Sequence, residues 1–269
     1  MTVLDHIVAQ KYKEVAERKA ITTVSVLEKS TFFRREPASL KNFLLREDNF
    51  GIIAEFKRKS PSRGIINEFA LPEKVCRDYI KAGASAVSVL TDTVFFGGLS
   101  EDLINVRKST SFPILRKDFI IDEYQIFEAR SIGADAILLI ASLHSPAKME
   151  KLHRLAVSLN LEVLIEVHDE TDFSKIPVDA QIVGINSRNL ASLDIDTGRH
   201  SVLIDMIPKN VLKVAESGIK SASDCVRLRN TGFIGFLIGE HFMNTADPGQ
   251  SCRIFINELR EITTADNQD

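Results

Sequence analysis

Lysines and glutamates stand at the ends of short apolar runs throughout this sequence, and they are the residue types that proton-transfer chemistry requires. Glu55 and Lys57 close the run that starts GIIAEF at 51, and Lys117 follows FPILR. Glu166 ends LEVLIE, Asn186 ends QIVGIN with Arg188 just beyond, and Glu216 with Ser217 ends VLKVAE. A carboxylate and an ammonium on opposite sides of a reacting bond can divide the removal and delivery of protons. Packed closely, such groups also alter each other's proton affinity. Each charge taken alone reads equally well as a salt bridge or a loop cap. Their shared place at the ends of different runs is what points to a common purpose. Glu55 and Lys57 are two apart in an extended segment, which turns both to one face and Phe56 to the other.

Three further segments suit an anion. KRKSPSRG at 57–64 offers the hydroxyls of Ser60 and Ser62 and the charges of Lys57 and Lys59. ESG at 216–218 and LIGEHF at 237–242 each carry a glycine, Gly218 and Gly239, that lets backbone N–H groups approach a phosphate closely. Glu240 sets an anion beside this loop, so its side chain is expected to point away. Metal chemistry has no comparable signature. His6, His144, His153, His168, His200 and His241 form no HExxH or other compact ligand spacing, and His168 with Asp169 reads as a loop and helix cap. No dinucleotide Gly-x-Gly-x-x-Gly and no Walker loop is present.

Residues so far apart can meet only if their strands end on one face. Eight near-continuous apolar runs begin at 51, 86, 112, 135, 161, 181, 211 and 233, as expected for parallel strands covered by helices. Between them lie helical patterns such as PEKVCRDYIKAG, DEYQIFEARSIG and SPAKMEKLHRLAVSL. KAGASAVSVL, SIGADAILLI and, more loosely, NTGFIGFLIG repeat one helix-glycine-strand unit. The fold predicted is an α/β TIM (β/α)8 barrel over 51–262, preceded by an N-terminal helical extension over 1–45, all one catalytic domain with a short polar tail. In such a barrel the C-terminal strand ends converge on one mouth, with phosphate commonly held after strands seven and eight. A doubly wound sheet is the competing architecture, and it gives no reason for charges at nearly every strand end. The opening helix, 3–19, is expected to turn Val3, Ile7, Val8, Tyr12 and Val15 inward and its lysines outward.

Composition narrows the partners. The 269 residues are 44% hydrophobic and 26% charged, with 34 Lys plus Arg against 37 Asp plus Glu. A net charge of -3 gives no global attraction to nucleic acid or to a membrane surface. No apolar run approaches the roughly 20 residues that span a bilayer. Cys76, Cys225 and Cys252 share no paired spacing and read as thiols of a reducing, cytoplasmic compartment. The expected partner is a small phosphorylated molecule, bound by a monomeric protein.

The opening VLDHIVAQKYKEV, then IIAEFKRKSPSRG, VSVLTDTVFFGG, FPILRKDFIIDEYQIFEARSIGADAILLI, LEVLIEVHDETD, VGINSRNL, VAESGI and FLIGEHF follow one another in the order of a known family. In these blocks the chain resembles indole-3-glycerol phosphate synthases, the barrel enzymes of tryptophan biosynthesis. The resemblance implies ring closure of 1-(2-carboxyphenylamino)-1-deoxyribulose 5-phosphate with loss of carbon dioxide and water, without a redox cofactor. It implies that Lys117 is the principal general acid and Glu166 the carboxylate for proton removal or dehydration. Lys57 would bind the substrate carboxylate and act as an acid later, and Glu55 would orient and tune the lysines. Asn186, Glu216 and Ser217 would position substrate and carry the proton network. Arg188 would stand near the anthranilate carboxylate or the catalytic carboxylates. Ser60, Gly218 and Gly239 would hold the phosphate, and Phe96 and Leu138 would wall the aromatic ring. After VLTD the chain reads TVFFGGLSEDL where the family more often has FFxGSxEDL, and NSRNL replaces the commoner NNRDL. Phosphoribosylanthranilate isomerase is the alternative enzyme, and a non-enzymatic phosphate-binding barrel the alternative of another class. The long extension and the two strand-end lysines favour the synthase.

Overall fold

The chain is described by a computed structural model over residues 2–189 and 193–266, so Leu190 of the NSRNL segment and the last three residues of the polar tail lie outside the described residues. Eight parallel strands close into a barrel: β1 (Ile52–Phe56), β2 (Ala86–Leu90), β3 (Ile114–Lys117), β4 (Ala136–Ile140), β5 (Glu162–Val167), β6 (Ile182–Asn186), β7 (Leu212–Glu216) and β8 (Gly235–Ile238). Neighbours in sequence are neighbours in space, and β8 pairs with β1 through Ile52 opposite Phe236.

The two-residue period of each strand sorts its side chains into two cores. Ile53, Leu115, Leu138, Leu164, Val214 and Leu237 fill the barrel interior. Ile52, Phe56, Val87, Ile137, Ile165, Val183 and Phe236 pack outward on the helices. Both faces of the strands are therefore largely apolar, which is why the runs read as continuous. The helices Pro72–Ala82 and Glu123–Ile132 stop at the left-handed Gly83 and Gly133, where a bare backbone turns at low cost. The last helix, Pro248–Asp266, buries Cys252, Phe255, Ile256 and Leu259.

The N-terminal extension touches both ends of the barrel. Its third helix, Leu40–Leu44, drives Leu40 and Leu44 into the interior cluster near the strand starts. Glu162 at the start of β5 holds that helix by accepting from Ser39 Oγ at 2.6 Å and from Lys41 N at 2.9 Å. Phe33, further back in the extension, lies 6.5 Å from Phe127, its ring nearly parallel. The first helix, Val3–Ile21, starts in a reciprocal cap between Thr2 and Asp5 and lies toward the mouth. It buries Ile7, Lys11 and Val15, spaced four apart on one face.

That face departs from the pattern expected from hydrophobicity. Tyr12 is 54% exposed, whereas Lys11 is fully buried. The reason is electrostatic: Lys11 Nζ is 2.8 Å from Glu14, 2.9 Å from Asp92 and 3.0 Å from Asp118. The lysine stem packs as an apolar group, and its charge meets carboxylates that follow β2 and β3. Those three carboxylates hold the ammonium charged against the burial that opposes it.

Candidate active site

A cavity of about 470 Å³ opens at the C-terminal ends of the strands. Glu55, Lys57, Lys117, Glu166, Asn186 and Glu216 line it, as do Phe96, Leu138, Arg188, Ser217, Gly218 and Gly239. Ser60 does not. It lies in a smaller pocket between the hairpin Lys59–Ser60 and Gly64–Ile65 and the first helix, although Lys57, Phe96, Arg188 and Glu240 line both spaces. Ser60 was expected beside Gly218 and Gly239, but the hairpin carries it toward the N-terminal helix instead, with its hydroxyl 3.4 Å from Ser62 Oγ.

At the centre, Lys117 from β3 bridges two carboxylates. Its Nζ donates to Glu166 Oε2 of β5 at 2.8 Å and to Glu216 Oε2 of β7 at 2.7 Å. Register explains the meeting, because these residues end inward-facing rows and Glu216 stands opposite Asn186 and Leu237. Gly184 supplies the space: a Cβ there would come within 2.2 Å of Glu216 Oε1. A second pair lies on β1, where Lys57 donates to Glu55 Oε1 at 2.9 Å. Gly239 is what gives Glu55 room, since a Cβ at 239 would approach Glu55 Oε1 to 2.6 Å.

Burial would discharge all three central groups, and their mutual attraction opposes it. For Lys117 burial pulls the proton affinity down, yet Glu166, Glu216 and Glu55 outweigh it and hold the ammonium charged well above its usual range. Burial pushes Glu166 up, but Lys117 and then His168 bring its carboxyl well below the usual carboxylate range. Glu216 goes the other way, pushed up to about 8 by burial and by the like charge of Glu166, against the pull of Lys117. The cluster thus favours a charged Lys117 and an ionised Glu166, with the proton affinity of Glu216 raised above that of an ordinary carboxyl. That is a carboxylate base and an ammonium acid in direct contact at a buried site.

The walls are apolar. Phe96 ends the helical turn Thr93–Phe96, which Asp92 caps by accepting from the backbone N–H groups of Phe95 and Phe96. Its ring lies 5.9 Å from that of Phe119, which follows β3. Leu138 and Ile140 of β4 add an aliphatic side. A planar aromatic ring fits between such surfaces.

Two expectations need correction at the rim. Glu240 does not point away: it lines the cavity, its Oε1 accepts from Arg63 Nε at 2.8 Å, and its Oε2 is 3.4 Å from Arg188. Two guanidiniums neutralise it across the mouth, a better outcome for a carboxylate than facing an anion site unpaired. Arg188 accordingly turns toward Glu240, Ser62 Oγ at 3.2 Å and the Leu193 carbonyl at 3.1 Å, on the β8 side of the mouth. It is not drawn to the central carboxylates, which Lys117 already serves.

Sequence reasoning also passed over several contributors. Arg63 and Phe119 line the cavity, although within KRKSPSRG and FPILRKDF neither was singled out. His168, expected to be a loop residue, places Nε2 3.1 Å from Glu166 Oε1. Its position two residues beyond Glu166 in an extended segment was the available signal, since i and i+2 share a face. Asp169 does act as a cap, accepting from Thr171 N. Among the described residues no group of three or more His, Cys, Asp or Glu side chains is arranged to hold a metal, and no helix is long and apolar enough to cross a membrane.

Comparison with known proteins bears on the fold and the family. In structure the chain is similar to a 3-hexulose-6-phosphate synthase, with a TM-score of 0.61 and 14% identity over 78% of this chain and 98% of that one, a likeness of fold. In sequence it is 42% identical to an indole-3-glycerol phosphate synthase of Bacteroides thetaiotaomicron over 96% of this chain and 99% of the relative. To that of Campylobacter fetus it is 45% identical over 90% and 94%. The family model for this synthase matches residues 4–255, a span that holds the first helix from its second residue on, all eight strands and both ion-paired lysines of the mouth. With the match running through the extension as well as the barrel, the chain belongs to the indole-3-glycerol phosphate synthase family.

Proposed function

We propose that Lys117 and Glu166 are the acid and base of this chain's reaction. That reaction is ring closure of 1-(2-carboxyphenylamino)-1-deoxyribulose 5-phosphate with decarboxylation and dehydration, in tryptophan biosynthesis. The observation that carries the assignment is the direct Lys117–Glu166 contact at 2.8 Å in a buried, apolar-walled mouth. An aromatic carbon attacks the substrate carbonyl carbon, and Lys117 delivers a proton to the carbonyl oxygen as that bond forms. The carboxylate then leaves as carbon dioxide, returning its bonding pair to the ring. Departure of the new hydroxyl as water needs one more proton delivered and one removed, and Glu166 performs the removal.

Lys57 binds the anthranilate carboxylate and is the acid of the later step, with Glu55 setting its position. Asn186, Glu216 and Ser217 position substrate and complete the proton network. Phe96 and Leu138 flank the aromatic ring. Gly218 and Gly239 bring backbone N–H groups to the phosphate, and Arg188, which follows β6 and reaches to Glu240, adds charge from the β8 side, with Ser60 contributing from the adjoining pocket. A Lys117 held protonated suits proton delivery and is a poor amine nucleophile, which separates this site from lysine chemistry that proceeds through a Schiff base.

The test is incubation of the folded protein with saturating carboxyphenylamino-deoxyribulose phosphate while indole fluorescence and released carbon dioxide are followed. Both products are expected in equal amounts. Carbon dioxide without the indole, or neither product, would contradict the reading.

A further inference from the structure

Lys117 treats its two carboxylates almost alike, at 2.8 Å and 2.7 Å. Two like charges beside one buried cation compete for ionisation, and the contact with Lys117 alone gives no reason for one to win. Their other oxygens differ. Glu216 Oε1 is buried over Gly184 and has no hydrogen-bond donor. Glu166 Oε1 has the His168 ring, with Nε2 at 3.1 Å. The approach does not meet hydrogen-bond geometry, so the contact is a close electrostatic one between the ring edge and the carboxylate. The His168 side chain is only 8% exposed, and neither ring nitrogen has another hydrogen-bond partner.

We propose that His168 is a positioning residue that breaks the symmetry of the pair, keeping Glu166 ionised as the base and leaving the shared proton on Glu216. The inference rests on the reading of Lys117 and Glu166 given above and adds a residue that reading does not use. The surroundings of the ring favour it. Asp172 Oδ2 accepts from the His168 backbone N at 3.0 Å and lies 3.9 Å from Nδ1, so the imidazole stands between two carboxylates. Lys175 is engaged by the other Asp172 oxygen at 3.0 Å. Arg199, from the helix Gly198–Leu203, donates to the His168 carbonyl at 3.4 Å and so fixes the backbone that carries the ring. On the far side Glu166 faces Lys117, with Glu216 beyond it. A donor on Glu166 Oε1 stabilises the charged form of that carboxylate and of no other in the cluster. It also fixes the carboxylate plane, leaving Oε2 directed at Lys117.

Three variants separate the donor from the shape. His168→Leu removes the donor, His168→Gln restores an amide N–H near the Nε2 position, and His168→Asn carries an amide too short to reach. The pH dependence of kcat/KM is read for each, alongside a 13C titration of the glutamate carboxyls assigned with Glu166→Gln and Glu216→Gln. His168→Leu and His168→Asn are expected to move the acid limb to higher pH by about one unit, a roughly tenfold loss on that limb. The Glu166 carboxyl should titrate upward with it, and His168→Gln should restore most of both. Superposable acid limbs and Glu166 titrations in wild type and His168→Leu would overturn the proposal, as would equal displacement by Gln and Asn. If His168→Leu fails to fold, the comparison of Gln with Asn decides by the same criteria. Failure of the underlying reading is distinguishable, because it appears as near-normal turnover in Glu166→Gln, whatever His168 does to the carboxyl titration.

Discussion

At the scale of single residues, the mouth works by giving chemically identical groups different surroundings. Glu166 and Glu216 are both buried and both touch Lys117, yet one is held ionised and the other carries a proton up to about pH 8. As the pH passes that value Glu216 loses its proton. A second negative charge then faces Lys117 and strengthens its hold on its own proton, which makes it a weaker acid. The wild-type kcat/KM is therefore expected to fall above about pH 8, and Glu216→Gln, neutral at every pH, should extend activity to higher pH. An unchanged alkaline limb in Glu216→Gln would show that another group sets it. The residue types of this cluster were legible because lysine and glutamate end apolar runs. Which carboxylate ionises was not, because it depends on His168 and Gly184, whose nearness to those carboxylates exists only after folding.

At the scale of elements, the N-terminal helix is tied to the catalytic end by charge. Lys11 bonds carboxylates that follow β2 and β3, and both segments serve the site: Asp92 caps the turn that presents Phe96, and Asp118 follows Lys117 directly. Removing one partner of a buried ion pair leaves charge uncompensated, at roughly 3–5 kcal/mol. Lys11→Met should lose about that much in urea denaturation. Adding Asp92→Asn, which keeps the cap but removes a charge, should recover part of the loss. A double variant as unstable as the sum of the singles would contradict the coupling. The strands and main helices could be read from sequence since each is a long, periodic apolar pattern bounded by glycine or proline. Lys11 was misassigned for the opposite reason: hydrophobic periodicity ranks a lysine as solvent-facing and has no knowledge of carboxylates about 80 and 107 positions away. Glu240 was misread likewise, because Arg63 and Arg188 reach it from other loops.

At the scale of the whole molecule, the barrel does what no local segment can. It brings β3, β5 and β7 to one face so that Lys117, Glu166 and Glu216 meet within hydrogen-bond distance. The extension closes the other end with Leu40 and Leu44 while its first helix braces the mouth. A chain of net charge -3 thereby gathers Lys57, Lys117, Arg63 and Arg188 around one cavity, each paired with a glutamate of the same mouth. The central claim is that Lys117 and Glu166 act as one acid–base unit. It is tested most directly by measuring kcat for indole formation in Lys117→Met, Glu166→Gln and the double variant, with substrate binding titrated in each. Each single change is expected to lower kcat at least about 100-fold with binding altered only a few-fold, and the double variant to be little worse than the weaker single one. Near wild-type turnover in Lys117→Met, or losses that multiply in the double variant, would contradict the account.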